Sequence, residues 1–161
     1  MKIYTKTLLF LSTFSLLLVS FSCKKKCDLG TDVTSGDIKT NVLVVPKSGY
    51  LTANLQDSQY LITATHVYAD QMTISVDGGV TKTPVNYNEY SIICYPTSVN
   101  CVAQFDRNVV IDDENETIHF KMKVTDCGNC DEKRYLENYY AIRAVPDSYT
   151  IKFDIETTTV E

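Results

Sequence analysis

The residues of this chain best equipped for chemistry are its six cysteines. Cys127 and Cys130 form a Cys-x-x-Cys around Gly128 and Asn129, a spacing that can hold a low-pKa thiolate for redox exchange. Activation of such a motif usually needs a helix N-terminus beside it. Here it follows a strand-like run, and Asp126, Asp131 and Glu132 crowd it with negative charge, which raises a thiol pKa. Cys94, Cys101, Cys127 and Cys130 would also make a four-thiolate zinc set. However, six residues separate the first two, more than the usual two to four of structural zinc sites. His66 and His119 are the only imidazoles and both fall in strand patterns, so neither reads as a metal ligand. The acidic run Asp112-Asp113-Glu114-Asn115-Glu116 offers oxygen ligands without the spacing of a calcium loop. No nucleophile elbow, phosphate-binding glycine loop or zinc-protease motif is present. Neither a metal nor a cofactor is expected.

That leaves a structural role for the thiols. Cys94 and Cys101 bracket Tyr95 to Asn100, which has the composition of a hairpin loop, and Cys127 and Cys130 sit in a second turn. Local pairing of each couple is the simplest reading, although four cysteines allow three connectivities.

Cys23 stands apart. Lys2 and Lys6 precede an apolar run, Leu8 to Phe21, and Ser22-Cys23-Lys24-Lys25-Lys26 follows at once. The run is about 14 residues long, short of the roughly 20 needed to span a bilayer core. It fits the h-region of a secretory signal peptide, residues 1–22. A Cys directly after that region resembles the lipobox of bacterial lipoproteins, with Ser22 matching the pattern and Ser20 and Phe21 departing from it. The resemblance covers about 27 residues and implies an acylated Cys23, a cell-envelope location (the outer membrane first) and membrane lipid as a partner. Each of Lys24, Lys25 and Lys26 would add on the order of 1 kcal/mol beside an anionic surface. Ordinary signal-peptidase cleavage, giving a soluble secreted protein, is the alternative. An exported chain also suits disulfides. With Cys23 acylated, five thiols remain and Cys27 is the expected odd one; with Cys23 unmodified, a Cys23–Cys27 bridge becomes possible.

Charge narrows the partners. Without residues 1–22 the chain carries thirteen basic and twenty acidic residues, a net charge of −7. From Cys27 onward ten face twenty, giving −10. Such a body will not grip phosphate backbones, which demand clustered Lys and Arg, so nucleic acid is excluded as a partner.

The elements that must position these groups are short and β-like. Residues 23–37 are polar and read as a lipidated N-terminus and flexible tether, and residues 38–161 as one domain. Strand patterns run over Val42 to Val45, Tyr50 to Leu55, Tyr60 to Tyr68, Met72 to Val76 and Val80 to Val85, with Asp77-Gly78-Gly79 as the strongest hairpin signal. Glu89 to Tyr95 is expected to pair with Cys101 to Asp106, and Asn108 to Ile111 to face Thr117 to Thr125 across the acidic turn. Residues 132–145 are ambiguous between helix and strand, with strand favoured. Thr150 to Glu156 alternates as a last strand. The expected fold is an all-β, antiparallel β-sandwich, immunoglobulin-like in pattern, with local disulfides. The expected function is a non-enzymatic envelope lipoprotein acting as a binding or structural module for an unidentified protein or glycan. The alternatives are an immunity or inhibitor lipoprotein that neutralises a basic protein, and a thiol-redox protein using Cys127 and Cys130.

Overall fold

The computed structural model describes residues 27, 29–47, 59–100, 102–128, 133–136 and 138–160. Within them lie twelve strands: β1 (Val33–Gly36), β2 (Leu43–Pro46), β3 (Tyr60–Ile62), β4 (Met72–Ser75), β5 (Thr83–Pro84), β6 (Tyr90–Cys94), β7 (Thr97–Asn100), β8 (Ala103–Asp112), β9 (Thr117–Cys127), β10 (Lys133–Leu136), β11 (Tyr139–Arg143) and β12 (Thr150–Val160). A 3-10 turn, Ala69–Gln71, lies between β3 and β4. The protein is all-β, built from several sheets.

The largest sheet runs β1-β8-β9-β12. Its long strands follow from alternation: Ile118, Phe120, Met122 and Val124 of β9 are buried, while Lys121 and Lys123 between them are exposed. β12 lies parallel to β9 in a register that sets Ile151 beside Ile118, Phe153 beside Phe120 and Ile155 beside Met122. The same register sets Asp154 beside Lys121 and Glu156 beside Lys123, and β8 places Asp106 on the other side of Lys123. Opposite charges facing each other across strands contribute roughly 0.2–1 kcal/mol per pair. The wet face of this sheet is therefore a charge ladder, and its dry face is an aliphatic and aromatic layer.

The sheet β11-β6-β3 packs against that layer. In β6 and the residue after it, Ser91-Ile92-Ile93-Cys94-Tyr95 are buried without interruption. A continuous buried run is what a strand covered on both faces requires. Ile93 and Tyr95, with Ile142 of β11, join the larger cluster around Phe120 and Val109. Ile92 and Cys94, with Ala141, join a second cluster with Val44, Met72 and Ile74 from the third sheet, β2-β4-β5. Phe120 sits at the centre of the larger cluster, fully buried, with its ring 5.5–5.9 Å from those of Tyr95, Tyr140 and Phe153. A two-stranded piece, β10-β7, completes the set.

Several expectations change. The largest sheet is mixed rather than antiparallel, because β1 and β12 both run parallel to their neighbours. Cys101 to Asp106 does not return along β6, whose partners are β11 and β3. Instead residues 103–112 form one strand, continuous through Arg107 because that inward-facing charge finds partners. The segment read as a hairpin loop after Cys94 contains β7, paired with β10. Tyr60 to Tyr68 stays extended only to Ile62. Turn hydrogen bonds from His66 N–H to the Thr63 carbonyl (3.2 Å) and from Ala69 N–H to the His66 carbonyl (2.8 Å) then replace the ladder. Residues 133–136 and 139–143 are strands, as favoured. The strand expected over Tyr50 to Leu55 lies outside the described residues.

Candidate functional site: the stapled N-terminal end

Cys27 is bonded to Cys127, with Cα atoms 6.0 Å apart and a sequence separation of 100. This corrects two expectations. Cys127 does not pair locally with Cys130, and Cys27 is not the odd thiol. The reason is topological: β1 runs beside β8, and β8 runs antiparallel to β9, so the chain just before β1 arrives at the C-terminal end of β9. Sequence spacing could not show this, since no local signal links residue 27 to residue 127. Closing a 100-residue loop stabilises by about 4.7 kcal/mol on the loop-entropy account.

The polar stretch after Cys27 is likewise no free tether. β1 pairs with β8 over Val33–Gly36, setting Val33 beside Asp106 and Gly36 beside Val109. Asp32 accepts hydrogen bonds from the Phe105 N–H (3.0 Å) and from the Arg107 guanidinium (2.8 Å). Arg107 Nε donates to the Tyr140 hydroxyl (2.8 Å), and its guanidinium carbon stands 4.7 Å from the Phe105 ring centroid. With only 11 % of its side chain exposed, Arg107 needs these partners, because a buried cation without them carries a heavy desolvation cost. Burial pushes the Tyr140 phenol up, and the neighbouring guanidinium works against that shift. Thr31 offers its carbonyl to Gln104, and Asp37 receives the Ile111 N–H (2.9 Å) while its own N–H reaches the Val109 carbonyl (2.8 Å). Gly36 makes this last approach possible. Its φ is +74°, and a Cβ there would fall 2.0 Å from the Val109 carbonyl oxygen, so no side chain fits.

One end of the domain thus gathers the staple. Cys127 donates its N–H to the Val102 carbonyl (3.2 Å), and Gly128 donates to the Val160 carbonyl (2.8 Å). Asn100 donates through its side chain to buried Asp126 (3.2 Å), and Lys133 stands opposite Asn100. The opposite end holds the acidic turn. There the Tyr149 hydroxyl and the Arg143 guanidinium both donate to Asp113 and hold its carboxyl below the usual range.

Of the other cysteines, Cys94 is fully buried in the smaller cluster. Cys23, Lys24, Lys25, Lys26, Cys101 and Cys130 lie outside the described residues, as does the segment 1–22. His66 lies in the turn region after β3, and His119 lies on β9 of the largest sheet. His66 belongs to a ring cluster with Tyr60 (5.3 Å) and Tyr68 (5.5 Å), where burial lowers its pKa. This half-exposed aromatic group was not singled out from sequence, because a turn rather than a strand brings its rings together. A hollow of about 280 Å³ lies beside it, lined by Ala64, Ala69, Met72, Val85 and Tyr87 with Lys47 and Asp70. Tyr87 donates to the Ala69 carbonyl (3.0 Å), and burial with the Asp70 charge pushes its phenol up to about 12.

Among the described residues, no group of three or more His, Cys, Asp or Glu side chains is placed to hold a metal ion. Also among them, no helix is long and apolar enough to cross a membrane. No protein-family model, curated protein or solved structure matches the chain.

Proposed function

We propose that this protein is a non-enzymatic lipoprotein of the bacterial cell envelope, with the outer membrane as its first candidate location. Acyl chains on Cys23 hold it at the bilayer, where its β-module acts as a binding or structural component. The observation that carries the reading is the Cys27–Cys127 bridge. An oxidised staple suits an exported chain, and this one fastens the folded body immediately after the lipobox-like Cys. It also weighs against a redox couple within the Cys-x-x-Cys, since Cys127 is committed to a residue outside the motif. The finer architecture we propose is an immunoglobulin-like sandwich. Its two main layers are the β1-β8-β9-β12 and β11-β6-β3 sheets, and the small β2-β4-β5 sheet is added outside.

The surface favoured for a protein or glycan ligand is the ring cluster of Tyr60, His66 and Tyr68. Tyrosine rings offer wide amphipathic contact at little entropic cost. The proposal is tested by intact mass of the protein purified from its native envelope, with and without reduction and thiol capping. A diacyl or triacyl adduct on Cys23 supports it. A chain beginning at unmodified Cys23 would overturn the lipoprotein reading in favour of a soluble secreted protein.

A further inference from the structure

We infer that the end of the domain carrying the Cys27–Cys127 staple is a membrane-facing surface, held flat against the bilayer that receives the chain's own acyl groups. The inference rests on the lipoprotein reading and adds to it a contact surface and an orientation.

The argument is one of length. Three residues, Lys24, Lys25 and Lys26, separate Cys23 from Cys27. Fully extended, the four steps from Cys23 to Cys27 span at most about 14 Å. A free tether reaching to Asp37 would have let the domain tumble. Here the chain is fixed at Cys27 by the bridge, at Asp32 by Arg107 and the Phe105 N–H, and over Val33–Gly36 by β8. The leash therefore ends where the fold begins, on the end face that also bears Val102 and the C-terminus of β12.

That face carries features suited to a bilayer surface. Val102 is 57 % exposed, an apolar side chain in open solvent beside the staple. Lys133 and Arg134 are exposed on β10, where Lys133 stands opposite Asn100, whose side chain donates to Asp126 beside the staple. Asp28, Asp131 and Glu132 adjoin in sequence and offset part of this charge. Leash length rather than electrostatics carries the conclusion. β9 then runs from Cys127 to Thr117, away from the staple, and its ten steps span about 34 Å. The acidic turn 112–116, with Asp113 held by Arg143 and Tyr149, is the pole remote from the membrane.

The absence of tryptophan makes this orientation directly measurable. Val102→Trp places one fluorophore at the stapled end. Val110→Trp places another eight residues further along the same stretch, about 27 Å away in extended geometry; Val110 is 49 % exposed, a fraction similar to that of Val102. Each acylated, full-length protein is reconstituted into phosphatidylethanolamine–phosphatidylglycerol vesicles containing acyl-brominated lipid, and acylation is verified by mass. The expected result is loss of emission for Val102→Trp and unchanged emission for Val110→Trp. Adding Cys27→Ser and Cys127→Ser is expected to restore much of the Val102→Trp emission, because the leash then extends to Asp32. Equal quenching of the two reporters in verified, vesicle-bound protein overturns the orientation while leaving the anchor intact. Absence of the acyl adduct overturns the lipoprotein reading itself, and the orientation with it.

Discussion

Replacing both partners of the staple, Cys27→Ser with Cys127→Ser, is the sharpest test of how the N-terminal stretch is held. Both must change, since a lone thiol left at either position is free to exchange with other cysteines. The bridge closes a loop of 100 residues, so its removal is expected to cost about 4.7 kcal/mol through the entropy returned to the unfolded chain. A domain of this size is stable by roughly 5–15 kcal/mol, so the loss is large without being fatal. The fold keeps other ties on this segment: the ladder between β1 and β8 and the Asp32–Arg107 pair remain. With a urea dependence of about 2 kcal/mol per molar, the unfolding midpoint should fall by roughly 2 M. The assay is urea unfolding of oxidised protein, reduced protein and the double variant, followed by tyrosine fluorescence and circular dichroism. Reduced protein and double variant should shift together. An unchanged midpoint would refute the reasoning, as would native protein whose Cys27 is alkylated without reduction.

Three other expectations follow from local geometry. Gly36→Ala must push a Cβ into the Val109 carbonyl at 2.0 Å, whereas Gly78→Ala, at the same φ of +74°, meets nothing within 4 Å. The first should lower stability well beyond the second, whose cost is about 1–2 kcal/mol of left-handed backbone strain; equal melting temperatures would count against the close approach. The Asp77 carboxyl, hydrogen-bonded by Ser75 and the Thr81 N–H, is held at about 2. Its folded value is depressed, so its contribution to the turn is full above the ordinary value and is lost only as pH falls through about 2; a carboxyl NMR titration centred near 3.8 would contradict this. Tyr87, raised to about 12 from 10, favours the fold below its ordinary value and ceases to do so as pH climbs through 12. Difference absorbance between wild type and Tyr87→Phe should place its ionisation after that of an ordinary tyrosine.

The sequence alone determined those properties that depend on local periodicity and composition. Alternation in Thr117 to Thr125 and Thr150 to Glu156 marks strands because side chains point to opposite faces every second residue. Asp77-Gly78-Gly79 marks a turn because glycine adopts positive φ freely, and both glycines do so here. The signal-like N-terminus and the acidic balance are composition, legible without any fold. Glu89 to Tyr95 also reads as a strand, but its unbroken burial from Ser91 to Tyr95 comes from the third sheet, which gives it two dry faces.

What the tertiary structure alone decided is which distant segments meet. β12 lies parallel to β9 rather than beside its neighbour in sequence, and β6 takes β11 and β3 as partners. Residues 103–112 run through Arg107 as one strand because Asp32 and Tyr140 supply the carboxylate and hydroxyl that let a cation face inward. Cys127 reads as half of a local motif until β1, β8 and β9 bring Cys27 to its side. Side-chain pattern fixes which face of a strand is dry. The identity of the strand next to it depends on chain crossings that close loops of dozens of residues, and no short-range signal encodes those.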